Sequence, residues 1–545
     1  MRLFYISSFL LMFFSVVIGT TDINAQAIDS ELKELLKESY IPGISLTTIK
    51  NGKISDSFYL GYKSIDSKSQ ITSRTVFSAA SLSKCVFGYI VMQLSHDGII
   101  NLDTPLNDYF IYEDINHDER AAIVTARMVL SHTTGLPNWR NGKLEFRDDP
   151  GNKYGYSGEG YVWLQRVVEH ITGSDLESLA QKMVFEPLKM DRTSYFFLDR
   201  FEDDYALPHD NMLRTNSKFK IKEANAAHSL QTTSSDYAKF MISILKKDYS
   251  LMYDAQINVN ENSEGKISWG LGVGIQLTTS GREFWHWGDN GTFKAYFTID
   301  PKSGDGLVYF ANGSNGLSCT AEITKLFLQS PQPSVNWNDY THYKSPQFQF
   351  PLIAEKVGIV EAMKLFLTKE GKIDTTKVSF RTAGWIAWQW LQARELDLAG
   401  PLLKVLNASN PDDARIPYNL ARYHLMEGSV NKAVETCEGG IKSFTDDDRL
   451  KKLLSSLTNP SQAGIEFSLP GYRNAKMVSI VGPFNEWSDT ANLCRWVDGA
   501  WRCYIDLEPG EYEYKFRIDG VNILDSNNEI SRYKGNLHVS LRIIE

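Results

Sequence analysis

The chain is short of positive charge: 57 lysines and arginines stand against 66 aspartates and glutamates, and the net charge is −9. That balance excludes the basic footprint that a nucleic acid or an anionic membrane surface requires, so small or neutral ligands fit better. Cysteine is also scarce, with five in 545 residues. Five are too few for a disulfide scaffold, and none has the spacing of a zinc cluster. No motif calls for a metal or a cofactor. Long apolar runs are confined to the first stretch, where Arg2 is followed by a nearly unbroken run from Leu3 to Ile18 and then by Ala25-Gln26-Ala27. A basic start, an apolar centre and a small-x-small end form the pattern of a cleaved secretory signal over 1–27, and the run is short for a membrane span. The mature chain is therefore expected to be periplasmic or secreted, without a membrane span. What remains is ordinary: 42% apolar and 23% charged residues is globular composition, with room for roughly two to four domains.

One short stretch organises the rest. In Phe77-Ser78-Ala79-Ala80-Ser81-Leu82-Ser83-Lys84 a serine and a lysine stand three positions apart before an apolar run whose face is Val86, Ile90, Val91 and Leu94. If Ser81 to about His96 is helical, Lys84 lies one turn from the Ser81 hydroxyl. A serine hydroxyl needs an adjacent base to attack a carbonyl, and a partly buried lysine can serve as one. Alone the pattern carries nothing, because Ser30, Ser217, Ser243, Ser263, Ser429 and Ser531 begin the same Ser-x-x-Lys spacing.

Around it the chain alternates strands and helices. Ile44 to Ile49 and Ile54 to Leu60 flank Asn51-Gly52, a hairpin signal. Leu130-Ser131-His132-Thr133-Thr134-Gly135-Leu136-Pro137 reads as a helix end running into a loop. Tyr154-Gly155-Tyr156-Ser157-Gly158-Glu159-Gly160-Tyr161 is a glycine-punctuated loop before a helix, and by itself it reads equally well as a surface loop. Ser234, Ser235 or Asp236 caps a helix over Tyr237 to Leu245. Strands follow at Trp269 to Ile275, Glu283 to Trp287, Ala295 to Ile299 and Leu307 to Ala311, with His286-Trp287-Gly288-Asp289 near a strand end, and a helix from Thr320 to Leu328 closes the region.

Ser81-Leu82-Ser83-Lys84, Tyr156-Ser157-Gly158 and His286-Trp287-Gly288, in that order and at these separations, resemble the serine β-lactamase and penicillin-binding-protein-like hydrolases, on the side of class C β-lactamases, D-alanyl-D-alanine carboxypeptidases and esterases. The similarity covers about residues 30 to 330. It implies an α/β (α+β) catalytic domain over 28–330, with an antiparallel sheet flanked by helices. It also implies that Ser81 forms an ester with substrate while Lys84 and Tyr156 move its proton, with either of the two open as the base. The backbone N–H groups of Ser81 and Asp289 would form the oxyanion hole, beside His286 and Gly288. Two positions depart from the family. Gly158 stands where the second motif commonly ends in asparagine, and His286 stands where β-lactamases and transpeptidases have lysine. Both changes fall on recognition, so little β-lactamase activity is expected. Two readings stay open: a hydrolase of small-molecule esters or peptide-like amides, and a non-catalytic or acylation-only binding or sensor protein.

Residues 331–350, with Pro331, Pro333 and Pro346, read as a linker. Over 351–460 the pattern is helical, and Trp390 aligns with His424 as Ala399 does with Ala433, 34 residues on. That period resembles degenerate tetratricopeptide repeats, which suggests packing or a protein partner, with Pro411 ending a repeat. The last segment, 461–545, reads as a small all-β sandwich. Its Gly482-Pro483-Phe484-Asn485-Glu486-Trp487 and Tyr512-Glu513-Tyr514-Lys515-Phe516 resemble the glycogen-binding module of AMP-activated kinase β-subunits and branching enzymes. The resemblance carries glycan contacts to Trp487, Lys515 and Asn536, but Val521-Asn522-Ile523 replaces the second stacking tryptophan, which implies weak binding. Asp498-Gly499 reads as a two-residue hairpin that sets Cys494 opposite Cys503. A disulfide and two packed thiols are equally open there, while Cys85, Cys319 and Cys437 read as packing residues.

Overall fold

The structure is a computed structural model that describes residues 27–140, 142–216, 220–245, 251–259, 266–328, 330–409, 412–458, 464–485, 487–489, 492–528, 530–534 and 537–544. The expected signal segment up to Gln26, Pro411 and Asn536 lie outside the described residues. Two compact units form, Met1–Tyr343 and Lys344–Glu545.

The first unit is built on an antiparallel sheet whose strands are β1 Gly43–Lys50, β2 Lys53–Ser64, β3 Ser69–Gln70, β6 Ile257–Asn258, β7 Ile267–Trp269, β8 Gly274–Thr278, β9 Gly281–Asp289, β10 Lys294–Ile299 and β11 Gly306–Ala311. Their order is β3-β2-β1-β11-β10-β9-β8-β7-β6. A separate two-stranded piece pairs β4, Phe77–Ser78, with β5, Gln231–Thr232. The strands β10 and β11 are buried along their whole length and β1 along all but Lys50, the mark of central strands covered on both faces. The sequence of β11 accordingly lacks the polar alternation of a one-sided sheet, whereas β1 alternates Ile44-Ser45-Leu46-Thr47 and its buried Ser45 and Thr47 hydroxyls meet the Ser234 hydroxyl at 2.8 Å.

Helix α1, Ser83–His96, is buried on nearly every side, Ser83 and Lys84 included. Helix α2, Gly158–Thr172, starts where the Ser157 hydroxyl accepts the Gly160 N–H at 3.0 Å. Helix α3, Ser234–Ser243, packs under β1 and β11, and its cap is Thr233 rather than any of the three residues that the sequence offered. Helix α4, Thr320–Phe327, precedes α5, Pro333–Asn338. The stretch 331–350 is thus no open linker: α5 lies on β7 and β8, and another helix begins at Pro346. Pro333 and Pro346 sit in first helical turns, where a missing N–H costs nothing.

The second unit is a run of helices followed by a small sandwich. The helices are α6 Pro346–Val357, α7 Ile359–Phe366, α8 Phe380–Gln392, α9 Leu396–Ala408, α10 Arg415–Met426, α11 Val430–Ser443 and α12 Asp448–Thr458. Trp390 and His424 occupy equivalent buried positions on α8 and α10, as Ala399 and Ala433 do on α9 and α11. The small alanines are where paired helices touch. In the sandwich one sheet orders β12 Ile465–Pro470, β15 Ala500–Ile505 and β14 Arg495–Val497. The other runs β13 Val478–Val481, β16 Gly510–Ile518, β19 Leu537–Ile544 and β18 Ser531–Lys534, with β17 Val521–Ile523 beside β16. Asp498 and Gly499 have φ of 50° and 81°, as a type I′ turn requires. The register that they set pairs Trp496 with Trp501, but Cys494 and Cys503 are free thiols, packed with Phe467, Val478 and Ile480 in the sandwich core. Burial and the neighbouring Cys503 push the Cys494 thiol well above its usual pKa. Among the described residues no helix is long and apolar enough to cross a membrane.

Within this unit Arg422 of α10 donates to the Asp489 carboxylate of the sandwich at 2.8 Å, and both side chains are almost wholly buried. Removing one partner strands the other charge out of water. Arg422→Ala is predicted to destabilise the second unit by about 3 kcal/mol, read as an earlier urea transition of the full chain.

Candidate active site

Ser81 lies in a single 3-10 turn, Ala80–Leu82, that leads into α1, so the α-helix proper begins two residues later than its sequence suggests. Lys84 is still one turn beyond Ser81. The preceding Ala80 has φ of 48°, a left-handed conformation that costs a residue with a Cβ roughly 1–2 kcal/mol. The surroundings hold it there. The Ser83 hydroxyl donates to the Ala80 carbonyl at 2.5 Å and accepts the Leu230 N–H at 3.0 Å, and the Tyr237 and Tyr195 hydroxyls donate to the carbonyls of Leu82 and Ser83.

Lys84 is 1% exposed. Its Nζ donates to the Ala227 carbonyl at 2.7 Å and lies 3.3 Å from Ser81 Oγ. The rings of Tyr156 and Tyr161 have their centres 4.8 and 5.5 Å from it. Burial without a carboxylate partner brings the amine from its usual 10.5 down to about 7. Tyr156 shifts the opposite way. Burial holds its phenol well above 10, and the nearby Ser81 hydroxyl opposes that shift without an ordinary-length hydrogen bond forming. The structure therefore brings Ser81, Lys84 and Tyr156 together.

Two neutral imidazoles flank the group. The His132 ring lies 4.2 Å from the Tyr156 ring and accepts the Ser157 N–H at Nδ1, which places its proton on Nε2. His286 Nδ1 faces the Trp287 carbonyl at 2.6 Å, so its proton is on Nδ1 and the buried Nε2 has no partner. Burial, and next the charge of Lys84, lower the His286 pKa to about 3. At neutral pH His286 thus offers a substrate carboxylate no charge.

Gly288 lets β9 run against the serine's turn: a Cβ there would fall 2.6 Å from the Ala79 carbonyl oxygen and 3.2 Å from the Ala80 Cβ. Asn290 fastens the strand end by donating to Ser78 Oγ and to the His228 carbonyl at 2.9 and 3.2 Å. The Asp289 carboxylate is occupied by Lys294 at 2.5 Å and by the Tyr340 hydroxyl at 2.8 Å. At Gly158 a Cβ would meet the Asn138 carbonyl oxygen and the Trp139 indole, both at 2.8 Å. Asn138 accepts the Gly158 and Glu159 N–H groups, and Arg140 binds the buried Glu159 carboxylate at 2.8 Å, so the loop bearing Trp139 is tied to the start of α2. Space that a longer residue 158 would fill belongs to an indole, 43% exposed, that stands nearly perpendicular to the His228 ring with centres 5.5 Å apart.

The sequence alone gives no role to His132, Trp139, Ala227 or Tyr340. His132 sits in a stretch that the sequence marks out, whereas nothing in one sequence announces Trp139 or Tyr340. The possible glycan residues lie in the other unit: Trp487 is half-buried with φ of 59°, and Lys515 stands on β16 opposite Val481.

The lowered Lys84 pKa carries a stability consequence. The unfolded chain keeps this proton up to ~10.4, whereas the native state gives it up near 7. Below 7 both states are protonated and the buried charge destabilises the fold in full; between 7 and about 10 unfolding takes up a proton, so stability rises with pH. Lys84→Met is predicted to raise the Tm most at pH 6 and least near pH 10, as scanning calorimetry would record.

A family model described as Beta-lactamase matches residues 28–326, one described as Tetratricopeptide repeat matches 391–457, and one described as Glycogen recognition site of AMP-activated protein kinase matches 468–544. "Protein flp" of Staphylococcus aureus is 21% identical over 322 residues, which is 54% of this chain and 64% of that protein. The chain therefore spans less than two thirds of the length of this relative. An uncharacterized protein of Alkalihalophilus pseudofirmus is 30% identical over 155 residues, 28% of this chain and 44% of that one. Among solved structures, an octameric penicillin-binding protein homologue from Pyrococcus abyssi is 21% identical with a TM-score of 0.49, covering 61% of this chain and 82% of its own. A D-alanine carboxypeptidase from Burkholderia cenocepacia is 16% identical with a TM-score of 0.47, covering 54% and 95%. With more than half of its length matched by that first family model, the chain belongs to the beta-lactamase family.

Proposed function

We propose that this chain is an exported, periplasmic or secreted serine hydrolase that cleaves an ester or peptide-like amide through a Ser81 acyl-enzyme. The observation that carries the reading is the 3.3 Å approach of Lys84 Nζ to Ser81 Oγ, with the amine brought to a pKa of about 7. Burial moves Lys84 down and Tyr156 up, so the proton of this pair rests on the phenol and the neutral amine is the base. Ser81 Oγ bonds to the carbonyl carbon as its proton passes to Lys84. The backbone N–H groups of Ser81 and Asp289 stabilise the oxyanion, and Tyr156 relays the proton from Lys84 to the leaving group as its bond breaks. Water then attacks the ester, giving its proton back by the same route and releasing Ser81.

The altered recognition groups set what is not cleaved. An uncharged His286 and an indole over Gly158 give little hold on a carboxylate or on an acyl-side amide. The helical repeats suit a protein partner. The sandwich offers Trp487 as an aromatic platform with no second stacking tryptophan beside β17, which favours weak glycan contact.

Purified chain is predicted to hydrolyse p-nitrophenyl acetate and to react with a fluorophosphonate, Ser81→Ala to do neither, and neither protein to hydrolyse penicillins or cephalosporins rapidly. A burst of one equivalent without turnover would instead identify an acylation-only sensor. Gly158→Asn is expected to lower both ester turnover and Tm without gaining β-lactam hydrolysis, because its Cβ collides with Asn138 and Trp139; a gain of cephalosporin hydrolysis would contradict this.

A further inference from the structure

The beta-lactamase match ends at residue 326, but the first unit continues to Tyr343, and what lies between is attached to the reactive strand. The Tyr340 hydroxyl donates to Asp289 Oδ2 at 2.8 Å. It thereby holds the side chain that follows Gly288, which projects to the same face of β9 as Trp287. On the opposite face Gly288 rests on the Ala79 carbonyl and the Ala80 Cβ, at the turn that presents Ser81. Trp337 of α5 meets the same strand edge-on, with its ring centre 5.6 Å from Trp285, 5.5 Å from Trp287 and 6.3 Å from Tyr154. Trp287 in turn lies 5.0 Å from the Tyr156 ring.

The segment is itself anchored. Ser334 N–H donates to Gln276 Oε1 at 3.0 Å, its hydroxyl meets the Tyr296 hydroxyl at 2.8 Å, and Tyr343 N–H donates to the Ser318 carbonyl at 3.2 Å. The second Asp289 oxygen is taken by Lys294 and by the Gly291 N–H. The Tyr340 hydroxyl therefore completes a closed set of partners, and burial with the adjacent Asp289 charge keeps it protonated as the donor.

We propose that Tyr340 is a positioning residue of the Ser81 site: by holding the Asp289 carboxylate it fixes the strand edge whose Asp289 N–H receives the oxyanion, and Trp337 braces that edge from α5. The inference rests on the reading of Ser81 as the nucleophile. A hydrolase gains only from donors already aimed at the developing charge, and a small displacement of such a donor costs rate rather than substrate affinity.

The test is ester hydrolysis by full-length Tyr340→Phe, which keeps the ring and removes only the hydroxyl. We expect kcat for p-nitrophenyl acetate to fall about 10- to 100-fold, with KM within about twofold and the Tm little changed. Should that variant not fold, Trp337→Leu removes the brace from α5, and a fall in kcat at unchanged KM is again expected. A folded Tyr340→Phe with wild-type kcat overturns the proposal while leaving Ser81 as the nucleophile. A loss confined to KM overturns it as well, since that would make the tyrosine a substrate contact. Wild-type turnover that survives in Ser81→Ala would overturn both this inference and the reading on which it rests.

Discussion

The withdrawal of Lys84 from water is the constraint on which the site depends. An amine prefers to be charged and hydrated; here it is enclosed by α1, by the rings of Tyr156 and Tyr161 and by the chain at Ala227, with a carbonyl as its one short contact. The fold thus holds a group that destabilises it while charged, and on the proposed reading the same enclosure prepares that group to take a proton from Ser81. The neighbours are consistent with this. His132 and His286 are buried and neutral, and Tyr156 is held protonated, so no second charge crowds the amine.

Keeping water out requires close packing of backbone on backbone at the serine. The left-handed Ala80, the glycine that admits β9 at 288 and the Asn290 contacts to Ser78 and His228 bring three separate parts of the chain to one point. Each is individually costly or permissive, and together they overdetermine the geometry. The loop at Trp139 closes a further side, tied by Arg140 to Glu159.

Much of this was legible in the chain because the relevant signals are local. Ser81 and Lys84 are one turn apart, Asn51-Gly52 and Asp498-Gly499 dictate their hairpins, and the 34-residue spacing of Ala399 and Ala433 marks equivalent helices. The parts that were not legible depend on contacts between residues far apart in sequence. Trp139 occupies the space above Gly158, and Tyr340 reaches back to Asp289 across 51 positions. Two of the three prolines that suggest a linker, Pro333 and Pro346, mark helix starts, because the first helical turn tolerates what the interior does not. The thiol pair had the register of a disulfide, yet register alone does not decide whether two sulfurs bond or pack.

The central claim is that a neutral Lys84 activates Ser81, and the most direct measurement is the pH dependence of the rate at which a fluorophosphonate labels Ser81. The rate should climb with pH and level off with a midpoint near the amine's pKa of about 7. A midpoint near ~10, where an ordinary lysine titrates, or a rate independent of pH across this range, would contradict it.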